Sequence, residues 1–349
     1  MRGGILSWTA MNSLSRDRIL LAHGGGGQLM DELLREVVFP RLGNRWLDDL
    51  GDAALLPRPA GEIAFTTDGF VVQPLFFPGG DIGRLAVSGT VNDLAVMGAD
   101  PLWLSLGMVL EEGLPIGTLA RVLDSAAAAA KEAGVAVVTG DTKVVAKGQA
   151  DGLYLTTAGI GALRADRPRG IAEIRPGDAL LLSGSIADHG LSVMLQRTPG
   201  VASALMSDVA PLGGLIGALL EAVPGDVLFL RDPTRGGLAG VAADLAARTG
   251  CRLVLTERAI PVRHEVRYAA DLLGLDPLSV ANEGKVVVVV RASAADRALA
   301  ALRAHPLGRA ATIAGRFGEE RDGLCELETT SGGRRIVAKP YGEDLPRIC

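Results

Sequence analysis

Five aspartates recur beside small residues at the ends of apolar stretches: Asp52 in LGDAA, Asp68 in TTDGF, Asp93 in VNDLAVMGA, Asp141 in TGDTK and Asp232 in RDPTRGG. Singly, each fits a turn or a helix cap, because Asp-Gly and Asp-Pro are ordinary turn pairs and Asp accepts from helix N-terminal amides. Their recurrence without accompanying His or Cys points to a hard, oxygen-ligated cation such as Mg2+, which binds through few carboxylates and substrate phosphates. Two glycine loops supply the phosphate side. HGGGG at 23–27, centred on Gly25 and Gly26, and TRGGLAG at 234–240, carrying Arg235, each precede a helical pattern. Glycine leaves backbone N–H groups open at a positive helix end, which cradles phosphate, although four glycines in a row also suit a flexible connection. Neither loop is a Walker motif, since no GK[ST] occurs, and neither is a dinucleotide fingerprint. A triphosphate among these carboxylates requires divalent ions between them.

Three further residues could react. Lys143 in GDTK follows a buried strand pattern and suits a cation aimed at a phosphate or a reacting oxygen, or else a solvated surface lysine. Glu283 in ANEGKVVVVV belongs at the edge of a buried strand over a cleft, or in an Asn-Glu-Gly turn. Cys349 closes the sequence on the polar stretch GEDLPRIC, where a thiol on a mobile end could reach into another site. His23, His189, His264 and His305 show no metal-ligand spacing, so no zinc is expected and structural or surface roles are assigned to them.

The elements that must position these residues alternate along the chain. QLMDELLREVV, the 81–98 stretch and the alanine-rich 116–133 stretch have helical spacing; EIAFTTD, LWLSLGMVL, VAVVTGDTK and LYLTTAGIG read as strands. A turn signal at Pro176-Gly177 opens a second block of similar plan, with helices around 190–196, up to 248, 262–273 and 294–303 and strands RLVLT, KVVVVV and ATIAGRF; CELET and RRIVA follow. The expected division is an extension at 1–16, a first domain at 17–168, a second domain at 169–330 and a tail at 331–349. The 349 residues suffice for two cores, and no apolar run approaches the ~20 residues of a membrane span. A net charge of −5 without a basic block argues against nucleic acid. Residues 1–16 hold only a short apolar patch, too short for a secretory segment, and three widely spaced cysteines fit a reducing, cytoplasmic compartment.

In LAHGGGGQLM, GDAA, TTDGFVVQPLFFPGGDIG, VNDLAVMGA, GDTKVV, RDPTRGGLA, NEGK and PRIC the chain resembles the PurM-like (aminoimidazole ribonucleotide synthetase) superfamily of ATP-using enzymes, and within it the HypE family of hydrogenase maturation factors. The likeness runs from about residue 19 to 349. It implies an α+β, two-domain PurM-like fold, homodimeric through N-terminal sheets, with ATP between the domains and an α/β sandwich as second domain. It further implies ATP-dependent dehydration of a carbamoyl group, placed on the terminal cysteine by the carbamoyltransferase HypF, to a thiocyanate. The cyanide then passes to the HypC/HypD complex for the [NiFe] hydrogenase iron. By position in the motifs, Asp52, Asp68, Asp93 and Asp232 would bind Mg2+ and ATP, with Asp141, Arg235, Gly25 and Gly26 shaping the nucleotide or tail channel. Glu283 would be the base, Lys143 would assist near the tail, and Cys349 would carry the substrate.

Two rivals share the acidic loops. A selenophosphate synthetase would call for a reactive Cys or selenocysteine and a Lys at the first glycine loop, which here reads AHGGGGQLM. A thiamine monophosphate kinase leaves the terminal cysteine without a role. A non-catalytic ATP-binding maturation scaffold is the remaining alternative.

Overall fold

Four strands form the first sheet of the computed structural model, which describes residues 17–48, 51–201, 203–341 and 347–349. The 1–16 extension and residues 342–346 of the tail lie outside the described residues. Strands β1 (Ile63–Phe70), β4 (Ala99–Glu111), β5 (Ala136–Val145) and β6 (Leu153–Leu163) stand in the order β1-β6-β4-β5, with β4 and β5 parallel and the other pairs antiparallel; β2 (Phe76–Phe77) and β3 (Gly80–Asp81) make a small hairpin. Short helices α1 (Gln28–Leu33) and α2 (Phe39–Leu42), joined through a π-helical stretch at Leu34–Val38, precede the sheet. Helices α3 (Ile82–Val96) and α4 (Ile116–Ala133) cover one face. Asp81 caps α3 by accepting from the amides of Gly83 and Arg84, and Gly134 at φ 71° ends α4 in the left-handed conformation that glycine adopts without strain. The two helices cross closely at Gly83, where a Cβ would stand 2.1 Å from the Val122 carbonyl oxygen. Alternation along β4 buries Leu104, Leu106, Met108 and Leu110 beneath these helices. The opposite face is uncovered, with Ile63 at 51% and Phe65 at 67% exposure on β1.

The second sheet has seven strands in the order β13-β12-β9-β11-β7-β10-β8, built from β7 (Ala179–Leu182), β8 (Val227–Arg231), β9 (Leu253–Thr256), β10 (Val287–Val290), β11 (Thr312–Phe317), β12 (Cys325–Glu328) and β13 (Arg334–Ile336). Strands β7 and β10 are buried at every residue because helices cover both faces: α7 (Gly237–Thr249) on one side, α6 (Gly213–Ala222) and α9 (Ala295–Ala304) on the other. Helix α5 (Asp188–Arg197) leaves this sheet and inserts Leu191, Val193 and Leu195 into the first core, near Val266 and Ala270 of α8 (His264–Leu273). In return Ala95 and Val96 of α3 join the core around α6. The halves are therefore interlocked. Among the described residues no helix is long and apolar enough to cross a membrane.

Two sequence expectations change here. Lys143 is expected just beyond a buried strand, but β5 continues through it to Val145, since Thr142, Val144 and Val145 favour extended backbone and pair with β4. Helix α6 and strand β8 were not expected. Glycines at 213, 214 and 217 dilute the helical pattern of α6, and VLFL before Arg231 is too short to declare a period.

Candidate active site

Between the two sheets, carboxylates from four elements face one cavity of about 350 Å³: Asp68 near the end of β1, Asp93 on α3, Asp232 just after β8 and Glu283 ahead of β10. Their crowding shows in their proton affinities. Burial, then repulsion from Asp93, pushes Asp68 up to about 6 against the pull of Arg235; burial, then Asp93, pushes Asp232 up to about 7. Glu283, 3% exposed, is raised well above the usual carboxylate range by burial and then by Asp232, and its buried Oε1 takes part in no hydrogen bond. Thr66 Oγ1 donates to Asp93 Oδ2 at 2.9 Å and fixes its direction. Arg231, Thr234 and Arg235 complete the rim where the glycine turn leads into α7. Gly237, at φ 57°, is required there: a Cβ would lie 2.6 Å from the carbonyl oxygens of Leu278 and Val280.

A buried polar frame holds Glu283. Asp208 accepts the Glu283 amide at 3.1 Å and the Lys285 ammonium at 3.0 Å. Asn92, beside Asp93 on α3, donates to the carbonyls of Ala210 (3.0 Å) and Glu283 (3.3 Å). Gly284 presses on Asp208 so closely that a Cβ would overlap its carbonyl oxygen. None of Asn92, Asp208 or Lys285 was singled out from the sequence. An Asn next to the Asp of VND and a Lys in NEGK were the available signals.

The last residues of the sequence enter the same cavity. The Val71 amide donates to the main-chain oxygen of Cys349 at 3.1 Å, and the Gln73 amide to that of Arg347 at 3.3 Å. Arg347 also donates to the Val71 carbonyl at 3.1 Å and pairs with Asp151. Arg197 of α5 holds the Arg347 carbonyl, and Ile348 is buried in the first core. Cys349 is half-buried and lines the cavity with Asp68, Asp93, Asp232, Arg235 and Glu283. Six of the residues singled out in the sequence thus meet in space.

The others do not meet them within one chain. Asp141 and Lys143 pair with each other at 2.7 Å on β5, each 65% exposed. The glycine loop lies beside them: Gly24 packs so close to Val144 that a Cβ would stand 2.9 Å from its amide, while Gly25 and Gly26 are exposed. Asp52 is exposed, in irregular chain whose neighbours Gly51, Ala53 and Ala54 border a largely apolar cleft shared with Met30, Trp46 and Asp141. Strands β1 and β5 are the two edges of the sheet, three ladder steps or roughly 14 Å apart. Among the described residues no group of three or more His, Cys, Asp or Glu side chains is arranged to hold a metal alone, and Asp52 does not join Asp68, Asp93 and Asp232. His23 is buried, accepting the Leu20 amide at 2.8 Å. His189, also given a structural role, instead touches the tail.

Residues 50–163 match the family described as AIR synthase related protein, N-terminal domain, and residues 175–325 match AIR synthase related protein, C-terminal domain. The carbamoyl dehydratase HypE of Azotobacter vinelandii is 48% identical over 337 residues, which are 96% of this chain and 98% of that protein. The chain belongs to the HypE family. A crystal structure of the hydrogenase maturation protein HypE in complex with ATP is similar at TM-score 0.89 and 44% identity, covering 95% of this chain and 99% of that one. A chain of a HypE–HypF complex matches at TM-score 0.76 and 43% identity, over 90% and 100%. The expected PurM-like α+β fold and HypE membership are borne out.

Proposed function

We propose that this HypE-family chain is an ATP-dependent carbamoyl dehydratase acting on its own Cys349. The observation that carries the reading is the convergence of that cysteine with Asp68, Asp93, Asp232 and Glu283 in one cavity. A carbamoyl group on Cys349 sulfur, S–C(=O)–NH2, loses oxygen only with difficulty. Transfer of a phosphoryl group to that oxygen makes it a good leaving group; two protons then leave nitrogen, phosphate departs with the oxygen, and S–C≡N remains with ADP and phosphate. Glu283 suits the proton acceptor, because it lines the cavity and its buried Oε1 has no hydrogen-bond partner. The cavity around the seated cysteine limits water, which would otherwise discharge the carbamoyl thioester.

Asp68, Asp93 and Asp232 fit Mg2+: the donors are oxygens only, and the strain evident in the raised Asp68 and Asp232 is what a cation relieves. A Mg2+ ion held there would neutralise phosphate charge. Since these side chains do not form a metal site alone, phosphate and water oxygens would complete the coordination. Arg235 and the amides at the start of α7 would receive the phosphates.

The chain would act as a homodimer through the uncovered face bearing Ile63 and Phe65, a pairing that lets Asp141, Lys143 and the glycine loop of one copy serve the cavity of the other. HypF would load Cys349 and the HypC/HypD complex would accept the cyanide, in the cytoplasm. The domain limits proposed remain 17–168 and 169–330, with the tail from 331. Intact-mass measurement after incubation with HypF, carbamoyl phosphate and ATP tests the reading: a carbamoyl adduct, then loss of one water. The same adducts on Cys349→Ala would overturn it.

A further inference from the structure

The amides of Val71 and Gln73 take the main-chain oxygens of Cys349 and Arg347, and the carbonyl between them, that of Ile348, lies outside this pairing. His189 Nε2 lies 2.7 Å from it. A carbonyl only accepts, so Nε2 carries a ring proton, and in the neutral ring that full burial favours Nδ1 is the acceptor. The donor to Nδ1 is the Ser207 hydroxyl at 2.8 Å, whose oxygen in turn accepts the Val209 amide at 3.1 Å. The imidazole is fully buried, with Phe77 edge-on at 5.3 Å. Asp208, next to Ser207 in the chain, holds the Glu283 amide. The only two non-glycine residues with positive φ among those described, Ala187 and Arg347, flank the two ends of this bond, a conformation the fold must impose.

We propose that His189 is a positioning residue for the reaction at Cys349: through the Ile348 carbonyl it seats the cysteine against the acidic cavity, and through Ser207–Asp208 it ties that seat to the loop that places Glu283. Breaking the His189–Ile348 bond is then the step that frees Cys349 for loading. The purpose of the latch rests on the dehydratase reading; its geometry does not.

Alkylation tests the latch without ATP, HypF or a carbamoyl donor, so its failure and that of the dehydratase reading are told apart. Iodoacetamide modification of the full-length chain is followed by peptide mass, with Cys251 and Cys325, both buried, as internal reports of unfolding. His189→Ala should alkylate at Cys349 about threefold faster or more, the consequence of losing one neutral hydrogen bond, while the other two cysteines keep their rates. His189→Gln, which retains an N–H donor, should return toward the parent rate. Ser207→Ala keeps the ring but removes its donor, and should accelerate Cys349 to a smaller extent. In the loaded protein, His189→Ala should accept carbamoyl at no less than the parent rate yet lose water more slowly. An unchanged Cys349 rate in both His189→Ala and Ser207→Ala, or a common acceleration of all three cysteines, overturns the proposal.

Discussion

At the β1 edge of the first sheet, Asp68 stands with Asp93, Asp232 and Glu283 in one cavity, where burial and then repulsion raise the proton affinity of Asp68 to about 6, of Asp232 to about 7 and of Glu283 well above the usual carboxylate range. At the β5 edge, Asp141 and Lys143 are both 65% exposed and 2.7 Å apart, and the hydrogen bond from Lys143 lowers the Asp141 affinity. Both groups were singled out by the same sequence pattern, an acid beside small residues. Their surroundings give them opposite characters: the first is charge held against its electrostatic preference, which the protein tolerates for a purpose, and the second is a solvated pair that costs and contributes little. A carboxylate cluster held against its own repulsion would be relieved by a cation and a phosphate, as the proposed site requires. A satisfied surface pair would need something brought to it, and under the proposed dimer a second copy of the chain would do so.

Glu283→Gln breaks the first group with the largest effect. Removing a general base lowers the rate by about 10²–10⁴-fold. The variant should still take up one carbamoyl mass on Cys349 and then fail to lose water. Its urea midpoint should equal or exceed that of the parent, because burial and four neighbouring carboxylates penalise the charged form of Glu283 and its Oε1 has no partner. A large fall in stability would show that Glu283 is a structural residue. Next comes Asp208→Asn, which leaves Lys285 buried without its anion; breaking such a pair costs about 3 kcal/mol by chemical denaturation. It should also slow water loss, since the Glu283 amide is held by the same carboxylate.

Lys143→Ala probes the second group and should leave stability within about 0.5 kcal/mol of the parent, as an exposed substitution does. Dehydration should fall by about tenfold, the scale of one lost charge-assisted contact to substrate. The sharper experiment mixes Lys143→Ala chains with Glu283→Gln chains. If Lys143 serves the cavity of another copy, mixed dimers contain one site with both residues intact and are more active than either parent variant. Absence of recovery in a mixture shown to exchange subunits would confine each site to one chain.

The limits of sequence reading follow the same division. Helix 116–133 and the strands around Asp68 were legible because their apolar spacing is sustained over many residues, Asp68, Asp93 and Asp232 because acids recur at the ends of apolar stretches, and Glu283 because it precedes a buried strand pattern. What could not be read was proximity across the fold. Asp52 and Asp141 carry the same local signature as Asp68, but the strand order β1-β6-β4-β5 puts Asp141 on the far edge and Asp52 lies in irregular chain ahead of β1. His189 was illegible for a related reason. Its role depends on a carbonyl 159 positions away, and no local pattern distinguishes a histidine that holds a chain end from one that fills a core.

The smallest effect belongs to Asp141→Asn. Lys143 holds the Asp141 affinity below its ordinary value of 3.8, so in the folded state the carboxylate keeps its charge to lower pH than in the unfolded chain. The unfolded state then binds more protons in acid, and the contribution to stability is present above about pH 4 and is lost as pH falls through the folded value. Because both side chains are mostly in water, screening limits that contribution to a few tenths of a kcal/mol. Melting temperatures of parent and Asp141→Asn should therefore run parallel from pH 5 to 8, with the small gap closing only below pH 4. A gap of several degrees at neutral pH would mean that Asp141 is covered in the assembled protein, and its disappearance on dilution to monomers would place that cover at the subunit interface.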